Sequence, residues 1–187
     1  MASKFIDYVN NVHGVAESTM LKATKVGHHY NLEAEVDIDN GSVAKIGEYK
    51  RADVWEAVIP TKEDKIVLIL TAPKIYEEYE KKMQEEQYFY NAAGEIMRAY
   101  EIQDTDRFSL SAEAFADDAT LEDAVGKYVV VDEKGYKLTT ADDNPNADGA
   151  VNAFVGIIID INKNGTYLIN VLRNREIDKA INKETDN

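Results

Sequence analysis

The sequence contains no cysteine. This excludes disulfide bonds, a cysteine nucleophile, and zinc or iron–sulfur sites built on cysteine, so packing alone must stabilise the fold. No apolar run approaches the roughly 20 residues of a membrane-spanning helix. The opening residues, MASKFIDYVNN, lack a basic region followed by an apolar one. We therefore expect neither a membrane protein nor a signal peptide.

Basic residues are scarce as well. The chain has 21 lysines and arginines against 35 aspartates and glutamates, which gives a formal net charge of −14 over 187 residues. Proteins that bind nucleic acid or anionic membranes place lysine and arginine against phosphates, so we expect neither partner. Two interpretations of the acidity remain: it keeps the protein in solution, or it forms an outer surface that meets a more basic partner.

The recognisable catalytic motifs are missing. The chain has no G-x-S-x-G elbow, no P-loop and no G-x-G-x-x-G segment that opens a helix. Ser109 and Ser111 lie in a predicted strand, and no histidine is near them in sequence. Carboxylates are so frequent that no pair is singled out for acid–base catalysis. We predict that the protein is not an enzyme and has neither catalytic residues nor a cofactor.

Histidine ligands for a metal are few. The histidines are His13, His28 and His29. Adjacent residues of an extended chain point to opposite sides, so the neighbouring pair is poorly placed to share a metal ion. No further ligands can be assigned to any of them from the sequence, and we predict no metal site.

Oxygen ligands for calcium occur in two stretches. Residues 37–41 resemble part of a calcium loop, but Ser42 occupies the position that requires glycine, and strands instead of helices flank it. Residues 142–148 form a better cluster, although Ala147 replaces the loop glycine and no glutamate follows at the twelfth position. A turn explains the first stretch, and calcium binding by the second stays open.

The first 30 residues show neither a helical nor a strand period. Phe5, Ile6, Tyr8 and Val9 form a small apolar group, which His13 and Gly14 bring to an end. Two interpretations fit such a segment: an extended arm that docks on another surface, or a frayed terminus. The apolar group favours the arm.

Residues 31–173 are typical of short strands joined by tight turns. At positions 31–39, apolar Leu32, Ala34, Val36 and Ile38 alternate with acidic residues, the pattern of a half-buried strand. Residues 65–72 are apolar on both faces and predict a central strand. The sequence is most densely apolar between residues 125 and 173.

Further elements follow the same reasoning. Strands are predicted at residues 42–47, 54–59, 88–90, 95–102, 107–113, 128–131, 136–139, 153–161 and 167–171. Asn-Gly pairs at 40–41 and 164–165 predict turns. The buried face of the last hairpin is predicted to consist of Ala153, Val155, Ile157, Ile159 and Ile161, together with Tyr167, Ile169 and Val171. One helix is predicted at 74–87, where apolar residues recur every four positions.

These elements predict a mainly β (β-rich α+β) fold, an antiparallel barrel or sandwich with one helical insertion and an extended N-terminal arm. The arm would cover residues 1–30, the β-rich domain residues 31–173, and a polar C-terminal tail residues 174–187. A division of the domain into two subdomains near residues 72–87 stays open.

Several strands resemble the small β modules of tailed-bacteriophage capsid-associated proteins. The resemblance rests on GKYVVVD at 126–132, GYKL at 135–138, FVGIIID at 154–160 and VDIDNGSVAKIG at 36–47. It implies an auxiliary or decoration protein of a phage head, made in the bacterial cytoplasm and bound to the capsid exterior. Its partners would be the major capsid protein and further copies of itself. Phe5, Tyr8 and Val9 would contact the shell; the alternative for these three residues is docking on the protein's own β domain.

A second hypothesis is a non-enzymatic, β-rich ligand-binding or adhesion module, directed at carbohydrate or protein. Such a module would use exposed aromatic side chains in a concave site, and Trp55, Tyr88 and Tyr90 are the candidates.

Overall fold

The computed structural model describes residues 12–73, 85–117, 119–147 and 151–177. Within these ranges thirteen strands form a six-stranded sheet, a closed five-stranded ring and a two-stranded ladder. The prediction of a mainly β fold is confirmed. Most of the predicted helix at 74–87 lies outside the described residues.

The elements have the following bounds. The strands are β1 (Ala16–Glu17), β2 (Tyr30–Glu33), β3 (Ile38–Asp39), β4 (Val43–Arg51), β5 (Val54–Val58), β6 (Val67–Ile69), β7 (Tyr90–Asn91), β8 (Ile96–Glu101), β9 (Arg107–Leu110), β10 (Tyr128–Val131), β11 (Leu138–Ala141), β12 (Phe154–Ile161) and β13 (Tyr167–Asn174). Among the described residues, helical structure consists of α1 (Lys22–Val26) and of 3-10 turns at Glu86–Tyr88 and Ala112–Ala114.

The six-stranded sheet has the order β1-β9-β13-β12-β10-β11, and every neighbouring pair is antiparallel. Its inner face packs into the larger of the two main cores, which includes Phe108, Leu110, Val129, Ile158 and Ile169, all fully buried. Of the residues predicted to face inward from β13, Ile169 and Val171 are buried in this core and Tyr167 is partly buried. The dense apolar region after residue 125 thus supplies four of the six strands.

The predicted buried face of β12 is right at its start and wrong at its end. Ala153 and Val155 are buried, but Ile159 and Ile161 are 37% and 44% exposed, and Ile158 is buried instead. The pairing of β12 with β13 shifts register twice, so the alternation changes phase along the strand. Because β12 is apolar at almost every position, its sequence carried no sign of the change.

The ring has the order β2-β5-β4-β6-β8 and closes on itself. The pair β2–β5 is parallel, whereas the other pairs are antiparallel. A ring of so few strands leaves little interior room, so small side chains suit it. Its core contains four alanines among its buried residues, which are Leu32, Ala34, Ile38, Ala44, Ala57, Val67, Ile69, Met97 and Ala99.

Strand β6 is shared between the two cores. Val67 and Ile69 point into the ring, whereas Ile66, just before the strand, and Leu68 pack against the six-stranded sheet. All four side chains are 3% exposed or less. The prediction of a central strand buried on both faces is therefore confirmed. Strand β6 belongs to the ring and also packs against the six-stranded sheet, so it connects the two cores.

Two buried asparagines hold the ends of β6. The Asn174 side chain accepts a hydrogen bond from the Ile66 N–H (3.0 Å) and donates to the Ile66 and Ile102 carbonyls (2.8 Å each). At the other end, Asn40 accepts from the Thr71 N–H and donates to the Thr71 carbonyl, both at 2.9 Å. Each amide imitates the backbone of a neighbouring strand, which satisfies polar groups that would otherwise be buried without partners.

The single strand predicted at 31–39 is wrong. It divides into β2 and β3, and β3 pairs with β7 instead of extending the ring. Val36, predicted to be buried, is 52% exposed, and Glu33, predicted to face water, is only 8% exposed. Lys50 and Arg51 of β4 pair with the Glu33 carboxylate, which removes the penalty for burying it.

Residues 12–30 of the segment predicted as an arm pack onto the β domain. Ala16 pairs with Leu110 at the edge of the six-stranded sheet, and Leu21 is fully buried in the larger core. At the other end, Asn174 of the predicted polar tail completes β13 and is 3% exposed. Residues 1–11 and 178–187 lie outside the described residues.

The β4–β5 hairpin carries backbone strain. Its two turn residues, Ala52 and Asp53, have φ angles of 37° and 66°. A two-residue hairpin turn of type I′ has positive φ at both positions, which favours asparagine and glycine. We therefore expect Ala52→Asn to raise the free energy of unfolding by about 0.5–1 kcal/mol in chemical denaturation. The same change at exposed Ala72, where φ is not positive, is the control; equal effects at both sites would contradict the strain.

Candidate functional site

Phe5, Tyr8 and Val9, the residues predicted to contact the capsid, lie outside the described residues. The structure does describe the residues that follow them. We call residues 12–17 the root. The His13 N–H donates to the Gln87 carbonyl at 2.7 Å, and its ring Nδ1 lies 2.8 Å from Asp39 Oδ1. Val15 and Ser111 exchange two hydrogen bonds, of 2.9 and 3.1 Å.

The root is also closely packed. Gly14 is buried, and a Cβ atom there would lie 2.5 Å from the Asn40 carbonyl oxygen and 3.0 Å from Ala114. The His13 ring packs at 4.9 Å from that of Tyr90. The chain therefore emerges from a fixed point at the edge strand β1.

The three histidines lie in different surroundings. His13 contacts Asp39, His28 packs edge-on against Tyr30, and the ring of His29 is 6.2 Å from that of Tyr100. Over residues 12–73, 85–117, 119–147 and 151–177, no three histidine or acidic side chains gather to hold a metal ion.

In the loop considered for calcium, side-chain oxygens bind the loop's own donors. Asn144 Oδ1 accepts from the Asn146 N–H at 3.0 Å, and Asn146 Oδ1 accepts from the Asn152 N–H at 2.6 Å. Asp142 pairs with Lys127 at 3.2 Å, and Asp148 lies outside the described residues. These contacts explain the asparagines as turn formers.

The serines considered for catalysis have structural partners. Ser109 Oγ accepts a hydrogen bond from the Asn162 amide at 3.0 Å, and Ser111 Oγ accepts one from the Val15 backbone.

The aromatic residues predicted for a ligand site are not brought together. Tyr90 is 5% exposed and packs with Tyr88 and Phe89 in a small separate cluster. Trp55 lies on the ring, where it meets Tyr30 and Tyr49, two residues that the sequence did not single out.

A cavity of about 100 Å³ opens at one end of the ring, which we call the ring mouth. It is lined by Tyr30, Lys45, Ile46, Asp64, Lys65, Val67, Glu101 and Glu176. Most of these residues come from β2, β4, β6, β8 and the segment before β6, whereas Glu176 follows β13, so only closure of the ring assembles the site. Its floor is apolar and its rim is charged.

An aromatic row runs from the ring mouth to the surface. The ring of Tyr30 meets that of Trp55 edge-to-face at 6.1 Å, and Trp55 meets Tyr49 in the same manner at 5.9 Å. Tyr30 and Trp55 pack on the ring core, whereas Tyr49 is 64% exposed. The row therefore offers a rigid aromatic surface with its inner end anchored.

Ion pairs hold the rim. Lys45 Nζ lies 2.6 Å from Asp64 Oδ1, and Lys65 pairs with Glu101. The hydrogen bond from Lys65 lowers the pKa of the Glu101 carboxyl. Burial acts to raise the pKa of Asp64, but hydrogen bonds from Lys45 and Thr61 outweigh it, and the pKa lies below its ordinary value.

Glu33 forms two ion pairs on the ring, with Lys50 and Arg51. Hydrogen bonds from Arg51 and Lys50 lower its pKa from 4.5 to about 2. The folded protein thus favours the ionised forms of Glu33, Asp64 and Glu101 more than the unfolded chain does.

This preference predicts acid sensitivity. A lowered folded-state pKa contributes stability above the unfolded value, and that stability is lost as the pH falls through the folded value. We expect the free energy of unfolding to decrease between pH 4.5 and about 2, the range of the Glu33 shift. Urea unfolding at several pH values measures it. Glu33→Gln should flatten this dependence and exposed Glu113→Gln should not; an unchanged slope in Glu33→Gln would contradict the assignment.

A second cavity, of about 300 Å³, is acidic. Its lining includes Asp37, Asp39, Asp117 and Asp132, with Lys137 as the cation among them. Lys137 Nζ lies 3.8 Å from Asp39 Oδ2 and donates to the Glu113 carbonyl. Part of the chain's large negative charge is therefore concentrated beside the root.

Comparisons with models of protein families, with curated proteins and with solved structures found no match. In the part of the chain that the structure describes, the helices are too short and too polar to cross a membrane.

Proposed function

We propose that this chain is a virion structural protein that binds the outside of a tailed-bacteriophage capsid shell and stabilises or decorates it. The resemblance of its strands to capsid-associated β modules is the starting point. Its partners are the major capsid protein and other copies of itself.

The observation that carries the proposal is the root. An anchoring arm needs a firm attachment to the body, and residues 12–17 supply one through β1 pairing, the reciprocal bonds of Val15 and Ser111, and the contacts of His13. The apolar residues Phe5, Tyr8 and Val9 precede this fixed point by only a few positions.

Charge supports an exterior position. A chain with a net charge of −14 is repelled by packaged nucleic acid and attracted to a basic surface. The acidic cavity lined by Asp37, Asp39, Asp117 and Asp132 lies beside the root, where a basic surface of the shell would be met. Many copies on one lattice would allow each contact to be modest.

Co-sedimentation with empty shells tests the proposal. The shells are assembled from a major capsid protein encoded beside this chain; a neighbourhood of metabolic genes would contradict the proposal at the outset. Full-length protein is expected to sediment with shells, and a variant lacking residues 1–11 is expected to lose at least about tenfold in affinity.

A variant that lacks residues 178–187 is the matched control, because it removes a similar length from the other end. We expect it to bind as the full-length chain does. Normal binding by the variant without residues 1–11 would refute the arm, and no binding by the full-length chain would refute the capsid function.

The second candidate function, a ligand-binding module, is favoured by a separate observation, the aromatic row at the ring mouth.

A further inference from the structure

We propose that the ring mouth is a binding site for a neutral saccharide, with one sugar ring held over the cavity and the next stacked on the aromatic row. This goes beyond capsid binding and does not depend on it.

The shape of the site indicates a small ring as the ligand. Whole small-molecule ligands generally occupy pockets of about 300–1,000 Å³, whereas this cavity measures about 100 Å³. It therefore accepts only one end of a ligand, between Tyr30, Ile46 and Val67. The remainder must extend along the surface, where Trp55 and Tyr49 continue the aromatic wall.

The rim favours hydroxyl groups. The ammonium groups of Lys45 and Lys65 can donate, and each already has an anion, Asp64 or Glu101, as its partner. Glu176 adds a third carboxylate to the rim, so the rim carries one net negative charge and disfavours an anionic ligand. To pair with Asp64 or Glu101, a lysine or arginine from a protein partner would have to displace these internal cations. A neutral polyhydroxyl ligand can bond to the free lone pairs and protons without breaking either pair.

The ionised side chains near Tyr49 in sequence are largely paired. Glu33 is paired with both Lys50 and Arg51, and Asp53 accepts a hydrogen bond from the Asn31 amide at 3.3 Å. The charges of Glu33, Lys50, Arg51 and Asp53 thus balance one another, and Glu48, which precedes Tyr49 in β4, adds one exposed carboxylate. Such a surface gives no advantage to an anionic ligand over a neutral one.

The backbone around Tyr49 is irregular. The pairing of β4 with β5 shifts register on both sides of Tyr49. The hairpin then turns through Ala52 and Asp53, both at positive φ without glycine. Bulges re-aim side chains, and strained backbone is retained where a side chain must be presented in a particular way. Here the presented side chain is Tyr49.

The single tryptophan of the chain gives a direct measurement, because its fluorescence reports only on this site. We would titrate the full-length protein with neutral gluco-, galacto-, manno- and N-acetylglucosamine oligosaccharides up to about 10 mM, which covers millimolar dissociation constants. The expected result is a saturable change in Trp55 emission with at least one neutral saccharide. No saturable response to any of them would overturn the proposal.

Variants separate the site from the rest of the surface. Tyr49→Ala is expected to weaken binding about tenfold, because it removes the exposed stacking surface. Its near-ultraviolet circular dichroism would show that the fold is kept. Tyr128→Ala, on the outer face of the six-stranded sheet, is the control and is expected to bind normally. Equal affinities in the two variants would refute the site.

Ligand class is tested in the same titration. Lys45→Gln is expected to weaken saccharide binding several-fold, whereas Lys163→Gln in the β12–β13 turn is expected to change nothing. A saturable response to a lysine-rich peptide, and to no saccharide, would overturn the proposal in favour of a protein partner. Co-sedimentation tests capsid binding and the titration tests saccharide binding, so the failure of one proposal is distinguished from the failure of the other.

Discussion

Asn174→Ala is expected to lower the free energy of unfolding by about 3–5 kcal/mol. The Asn174 side chain is the partner of the Ile66 N–H, the Ile66 carbonyl and the Ile102 carbonyl. Leaving a buried polar group without a partner costs about 1–3 kcal/mol, and alanine would leave three of them. Without these hydrogen bonds the end of β13 is no longer held to the start of β6, so the contact between the six-stranded sheet and the ring is weakened.

Urea unfolding followed by circular dichroism measures this effect. Asn170→Ala is the matched control, because Asn170 lies in the same strand and only its weak 3.4 Å bond with Arg107 would be lost. We expect it to cost less than about 1 kcal/mol. Asn174→Asp is expected to be severe as well, since a carboxylate cannot donate to the two carbonyls. Similar free energies of unfolding for Asn174→Ala and Asn170→Ala would show that the Asn174 side chain does not stabilise the contact between the sheet and the ring.

Deleting residues 1–30 is expected to cost at least about 5 kcal/mol, which is as much as many domains possess. The deletion removes β1, α1 and the first residue of β2. It also removes Leu21, which is fully buried, together with buried Ala16 and Ala23. Truncating a buried leucine to alanine alone costs about 3 kcal/mol.

Deleting only residues 1–11 is the comparison that matters for function. It leaves the root and its hydrogen bonds in place, so we expect little change in the thermal midpoint. Point variants give the same test within the folded chain: Leu21→Ala is expected to destabilise strongly, whereas Met20→Ala, at a neighbour that is 42% exposed, is not. A stable protein without residues 1–30 would refute the packing of this segment.

Local features of the fold could be predicted from the sequence. The Asn-Gly pair at 164–165 forms the β12–β13 turn, and Gly165 has the positive φ that such turns need. The apolar run at 65–72 contains β6, and its lack of alternation correctly indicated burial on both faces. In both cases the deciding information lies within a few neighbouring residues.

Features that depend on distant residues could not be predicted. The burial of Glu33 requires two cations from β4, about 17 positions away along the chain. Asn174 was assigned to a polar tail, because nothing near it in sequence shows that it meets Ile66 across 108 positions.

The residues of the candidate sites also fall into those that could be predicted from the sequence and those that depend on distant contacts. Trp55 could be named as a candidate from its residue type alone. Tyr30 and Tyr49 could not, because they contact Trp55 only when β2 and β4 pair with β5 in the ring. Tyr90, named with Trp55, is buried against His13 instead. The capsid contacts of Phe5, Tyr8 and Val9 stay a prediction.

Electron cryo-microscopy of shells incubated with the full-length protein tests the central claim most directly. Capsid binding predicts added density at symmetry-related positions on the outer surface. The sheet and ring should fit this density, which should continue from the root at residue 12 onto the shell. Density on the inner surface, or shells that stay bare at saturating protein, would contradict the claim.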